Sequence, residues 1–100
     1  MRIISQALRN SAKGRNCTLR LDGCLYSPET VVLAHLPCGH KGIGMKSPDN
    51  MAVFACAVCH ARLDGPLRNT IPASDISRAL AETQMYWIEN GYMTIKGVKA

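Results

Sequence analysis

Two short apolar runs rich in β-branched residues, a helical run that opens on Cys-x-x-Cys, and a second cysteine pair far upstream predict an α+β fold: a small domain stapled by one metal ion. The apolar runs are Thr30 to His35 and Met51 to Ala55, the helical run is Cys56 to Asp64, and the upstream pair is Cys17 and Cys24. β-Branched runs bounded by turn residues favour strands. One hundred residues make one domain. So short a chain buries a modest core and gains from a crosslink or a metal.

In chain order, Ser5 to Lys13 reads as a short basic helix, with Gly14 past its C-terminus. Thr18 to Leu21 alternates polar and apolar residues and predicts a short strand. Asp22-Gly23 and Ser27-Pro28-Glu29 are turns. The strand Thr30 to His35 leads into a long loop, Leu36 to Asn50, carrying Pro37, Gly39, Gly42, Gly44 and Pro48. Loops of that length are often functional. Met51 to Ala55 returns as a strand, and the helix Cys56 to Asp64 stops at Gly65-Pro66. Ser74 predicts an N-cap, with Asp75 in the first turn. Ile76, Ala79, Leu80, Thr83 and Trp87 keep helical spacing to about Asn90, and Gly91 predicts the C-terminal stop. Tyr92 to Lys96 predicts a short strand or a tail. The last helix is expected to bury its apolar face on the core, or else to supply a homodimer surface.

The formal charge of +5 suggests a polyanionic partner, nucleic acid first, or plain surface solubility. No stretch approaches the roughly 18 apolar residues of a membrane span, and the N-terminus has no secretory core. The chain is therefore expected in the cytoplasm, where thiols stay reduced and five cysteines favour metal over disulfides. Cys17, Cys24, Cys56 and Cys59 can close a tetrahedral four-thiolate site for a structural zinc ion, with no position left open for catalysis. The rival reading of Cys-x-x-Cys as a redox pair lacks its βαβ setting. Cys38 is left over as a loop thiol, with replacement of one of the four ligands as the alternative.

Of the three histidines, His35, His40 and His60, two carry a pattern. On a helix Cys56 and Cys59 share one face, whereas His60 and Asp64 share another about 90° away. An imidazole and a carboxylate suit a divalent cation with open water positions. His35 closes a strand just before a glycine-rich loop, a suitable place for accepting a proton from water. Lys41, Lys46, Arg62 and Arg68 lie in or beside this segment and can meet phosphates without reading sequence.

The stretch "VVLAH", "PDN" and "CAVCHARLDG" within residues 31–64 resembles the HNH, ββα-metal or His-Me finger nucleases. These carry a strand ending in His, an Asn in or near the next loop, and a helix bearing Cys-x-x-Cys-His. Over nearly its full length the chain looks like the YbcO-type prophage nucleases, sharing "CTLRLDGC", "PET", "VLAHL", "ACAVCH", "LDG" and "WIENG". The resemblance implies a single zinc-stapled ββα-metal domain over residues 1–100, its motif core at 31–64, flanked by an N-terminal and a C-terminal helix. It also implies a metal-dependent DNA endonuclease that hydrolyses phosphodiester bonds in phage recombination or DNA processing, encoded by a phage or prophage and working in the bacterial host. In that reading His35 is the base, Asn50 orients it by a hydrogen bond, and His60 with Asp64 holds a catalytic Mg²⁺, Mn²⁺ or other divalent ion. One departure stands out. The residue before the motif His is commonly a metal-binding Asp, and here it is Ala34. Asp64, Asp49 or His40 could replace it. Otherwise the alternative is a non-catalytic, zinc-stabilised nucleic-acid-binding or recombination accessory module.

Overall fold

The computed structural model describes residues 3–36 and 47–99. In order, these form α1 (Gln6–Ser11), a 3-10 turn (Pro28–Thr30), β1 (Val32–His35), β2 (Ala52–Ala55), α2 (Ala57–Asp64), a second 3-10 turn (Arg68–Thr70) and α3 (Ala73–Glu89). This is the α+β architecture expected, with one antiparallel two-stranded sheet among the described residues.

The hairpin pairs Val32 with Ala55 and His35 with Ala52. All four residues of β2 are buried, while β1 runs exposed to half-buried except for Ala34. Successive side chains of a strand point to opposite faces. Ala34, wholly buried, therefore faces the core, and His35 faces the other way. A metal ligand at position 34 would start from inside the apolar core.

α3 covers β2 from one side. Ala79, Thr83 and Trp87, at helical spacing, have no exposed surface, and Phe54 packs edge-on against Tyr86 at 5.6 Å and Trp87 at 5.8 Å. Part of the apolar face that raised the idea of a dimer is thus buried within the same chain, while Ile76 and Leu80 are half-buried. The helix starts at Ala73, two residues earlier than Ser74 as N-cap would place it, with Pro72 at the N-cap position. It stops where Gly91 takes φ +80° and the Tyr92 N–H reaches back to the Trp87 carbonyl at 2.7 Å. Beyond it residues 92–96 form bends, irregular backbone and the start of a turn, and not a strand.

α1 is short and depends on side chains to hold it. Ser5 caps it, its Oγ accepting the Leu8 N–H at 3.2 Å. Trp87 Nε1 donates to Ser11 Oγ at 2.7 Å, tying α1 to α3. The strand expected over Thr18 to Leu21 does not form. Thr18 does pair with the Phe54 carbonyl at 2.8 Å, but Arg20 turns into the left-handed region at φ +49°, which ends any extended run. The Thr18 and Leu19 carbonyls are taken instead by the Arg78 guanidinium, at 2.7 and 2.9 Å.

Candidate metal centre and active-site cleft

Cys56 caps α2 and Cys59 lies one turn on, so both sulfurs leave the same end of the helix. Cys17 and Cys24 arrive from the loop that Arg20 and Gly23, at φ +84°, bend back on itself. The four Sγ atoms all lie within 4.8 Å of one another, and those of Cys24 and Cys56 are 3.7 Å apart. Sulfurs at the corners of a tetrahedron with bonds of 2.3 Å would be about 3.8 Å apart. All four are free cysteines, three of them buried and Cys24 half-buried.

Backbone amides are aimed at the sulfurs. The Tyr26 N–H donates to Cys24 Sγ at 3.4 Å, those of Cys59 and Leu25 face Cys56, and that of Leu21 faces Cys59. Burial pushes the Cys56 thiol up, but these amides and the neighbouring thiols outweigh it and bring the group down to about 7. Burial pushes the Cys59 thiol far up, with the charge of Cys17 acting in the same sense, and burial also raises Cys24. Four crowded thiols cannot all ionise against one another without a cation. The donor set and its amide shell therefore fit a thiophilic metal ion such as zinc.

On the other side of α2 a cleft of about 590 Å³ opens between α1, β1 and α2. His35, Ser47, His60, Asp64, Arg9 and Lys13 supply its polar lining, and Val31, Val32, Leu33 and Ala12 part of its apolar wall. His60 Nε2 and Asp64 Oδ2 are 2.9 Å apart, as their i, i+4 spacing allows. His35 Nε2 is 2.7 Å from Asp49 Oδ1. Asp49 is 1% exposed and also receives Arg9 Nε at 2.9 Å, Arg9 Nη2 at 3.2 Å and the Ser5 N–H at 2.7 Å. Burial pushes the Asp49 carboxyl up, yet these donors together hold it below the ordinary carboxylate value.

The expected site residues are thus distributed unevenly. His35, His60 and Asp64 meet at the cleft. Asn50 does not make the bond to His35 that was expected of it. Its neighbour Asp49 makes it, while the Asn50 carbonyl accepts from Gln84 at 2.8 Å and its Oδ1 is buried without a partner among the described residues. Asp49 is likewise an unsuitable substitute for the missing Asp, since both its oxygens are occupied. Arg62 turns to Thr70 in a separate hollow, and Arg68 is exposed on the second 3-10 turn. Lys41, Lys46, His40 and Cys38 lie outside the described residues. The cleft cations in view are instead Arg9, on α1, and Lys13, in the turn that follows it. Their i, i+4 spacing on a basic helix was the available signal.

Residues 6–92 match the family model described as "Putative nuclease YbcO". The chain belongs to the YbcO family. A relative with that description from Escherichia coli (strain K12) is 39% identical over 89 residues, covering 84% of this chain and 93% of its own. A namesake from Enterobacteria phage 82 matches to the same extent. The solved "Structure of a putative bacteriophage protein from Escherichia coli str. K-12 substr. MG1655" is 33% identical, with a TM-score of 0.63, over 85% of this chain and all of that one. The YbcO family is thus described as a nuclease family, and one relative is phage-encoded. No described helix is long and apolar enough to cross a membrane.

Proposed function

We propose that this chain is a metal-dependent DNA endonuclease of the HNH type, with a structural zinc ion on Cys17, Cys24, Cys56 and Cys59 and a hydrolytic site in the cleft. One observation carries the reading. His35, at the end of β1, and His60, on α2, open on the same basic cleft, while Cys56 and Cys59, just before His60 in sequence, point into the thiol cluster. The order β1, β2, α2 is that of a ββα unit.

Phosphodiester hydrolysis needs a base for water, a counter-charge for the phosphate and help for the leaving oxygen. His35 is placed to accept the proton of the attacking water. His60 and Asp64 are the residues that would hold a divalent ion. Two neighbouring ligands of an octahedral ion with bonds of about 2.1 Å lie about 3.0 Å apart, close to the 2.9 Å between their donor atoms. There the bound ion would neutralise charge at the phosphate and help the departing oxygen. Arg9 and Lys13 attract the strand electrostatically and fix its register without reading bases. The biological setting that fits is phage or prophage DNA recombination or processing in the cytoplasm of a bacterial host.

With Mg²⁺ or Mn²⁺ the full chain should nick supercoiled plasmid. His35→Ala should lower the rate by about 10²–10⁴-fold with zinc content unchanged. A His35→Ala variant that cuts as fast as the parent removes His35 from the chemistry. Ala34 favours a second reading, a zinc-stabilised DNA-binding module without catalysis, because its buried side chain offers the cleft no ligand. DNA retained at low salt but uncut with every divalent ion would select that reading.

A further inference from the structure

We propose that Asp49 is a positioning residue that locks His35 in one tautomer and so gives the cleft the lone pair on Nδ1. The purpose of this device rests on the nuclease reading, whereas its geometry rests on hydrogen bonds independent of that reading. Oδ2 of Asp49 accepts the Ser5 N–H at 2.7 Å and Arg9 Nε at 2.9 Å. Oδ1 accepts Arg9 Nη2 at 3.2 Å and faces His35 Nε2 at 2.7 Å. A guanidinium and a backbone amide only donate. The carboxyl group is ionised at neutral pH, being held low by those same donors, and has no hydrogen to give. The hydrogen between Asp49 and His35 must therefore sit on Nε2. In the neutral ring the other nitrogen, Nδ1, is then the acceptor.

The arrangement reaches across the chain. Asp49 lies just before β2, yet three of its donors come from Ser5 and Arg9 near the N-terminus, and the Asp49 N–H is itself bound by the Ile3 carbonyl at 3.0 Å. A carboxylate that is 1% exposed and gripped on both oxygens has little freedom to rotate. The ring it holds is only a quarter exposed. α1 is in this way part of the site, although its sequence carries none of the motif.

The asymmetry of the two oxygens gives a sharp test. In Asp49→Asn the amide carbonyl should stay on the Oδ2 side, where Ser5 and Arg9 Nε both donate. The amide NH₂ then takes the Oδ1 place and donates to His35 Nε2, which forces the hydrogen onto Nδ1. Nitrogen chemical shifts of isotope-labelled histidine in the full zinc-loaded chain, at a pH where the ring is neutral, report the tautomer without any need for activity. The parent should show Nε2–H, Asp49→Asn should show Nδ1–H, and Arg9→Ala, which leaves the carboxylate in place, should keep Nε2–H. A parent with Nδ1–H, an Asn variant that keeps Nε2–H, or an Arg9→Ala variant that reverses would each overturn the proposal. In plasmid nicking, Asp49→Asn should lower kcat by about 10²–10⁴-fold with KM little changed. An undiminished kcat beside a reversed tautomer would also overturn the role. Should the parent cut no DNA, the nuclease reading fails and the tautomer assignment is decided by the spectra. Should Asp49→Asn not fold, the parent and Arg9→Ala spectra still decide it.

Discussion

The two faces of α2 differ in what surrounds their donors. On one face Cys56 and Cys59 are wholly buried, meet two further sulfurs and are ringed by backbone amides. On the other, His60 and Asp64 are partly open to solvent at 38% and 62% side-chain exposure, and they share their cleft with an exposed lysine and a half-buried arginine and histidine. Adjacent residues, Cys59 and His60, therefore serve opposite ends. A closed set of soft donors secures the fold, and an open pair of harder donors leaves room for water and substrate. The lesson is that one short helix can separate stability from reactivity by a single 100° step.

The largest effect should come from breaking that separation on the cysteine side. Structural zinc contributes about 10–16 kcal/mol in small zinc-folded peptides, and this core is small. Cys59→Ser should bind no stoichiometric zinc and should lose its cooperative thermal transition by circular dichroism. His60→Ala, one residue on, should melt within about 1 kcal/mol of the parent and lose nuclease activity. If Cys59→Ser melts like the parent with no metal bound, the cluster is not a staple and the comparison collapses.

A middle-sized effect belongs to Asp49, which ties the N-terminal helix to the end of β1 beside the cleft. Asp49→Ala leaves Arg9, His35 and the Ser5 N–H without their acceptor and should cost about 3 kcal/mol near neutral pH. The folded-state pKa of Asp49 lies below its ordinary 3.8. Its contribution is therefore complete above that value and is lost as the pH falls through the lower folded value. Urea midpoints of parent and variant should differ most near neutrality and converge well below pH 3.8. A gap that stays constant into strong acid would mean that the carboxylate charge does not carry the stabilisation.

These contrasts explain what could be read in the chain beforehand. The four cysteines and the two hairpin strands were legible because each depends on local spacing: Cys56 to Cys59, the β-branched run into His35, the apolar return at Ala52–Ala55. The long helix was legible from Ile76, Ala79, Thr83 and Trp87. The Asp49 network was not, because Arg9 and Asp49 are 40 positions apart and no periodicity links them. Motif resemblance moved the expectation one residue, to Asn50, although a carboxylate meets Arg9 and His35 better than an amide does. Thr18 to Leu21 misled because alternation predicts a strand wherever the backbone can extend, and at Arg20 it does not.

The smallest effect concerns how the loop carrying the first two cysteines is held against α3. Arg20, at φ +49° between Cys17 and Cys24, makes a two-pronged contact with Glu82, Nη1 to Oε1 and Nη2 to Oε2, each at 2.7 Å. The bond to Arg20 holds the Glu82 carboxyl below its ordinary value, a gain present above pH 4.5 and lost as the pH falls. Both side chains are 38% exposed, so solvent screens the pair, and Glu82→Gln should cost only about 0.5 kcal/mol. The difference should shrink in high salt. Arg78 already holds the Thr18 and Leu19 carbonyls, so the loop keeps its path without Glu82. Zinc affinity in Glu82→Gln, measured by competition with a chelator, should accordingly match the parent. A large fall would show that the cluster's first pair is positioned from α3, which would extend the structural side of the molecule well beyond one face of α2.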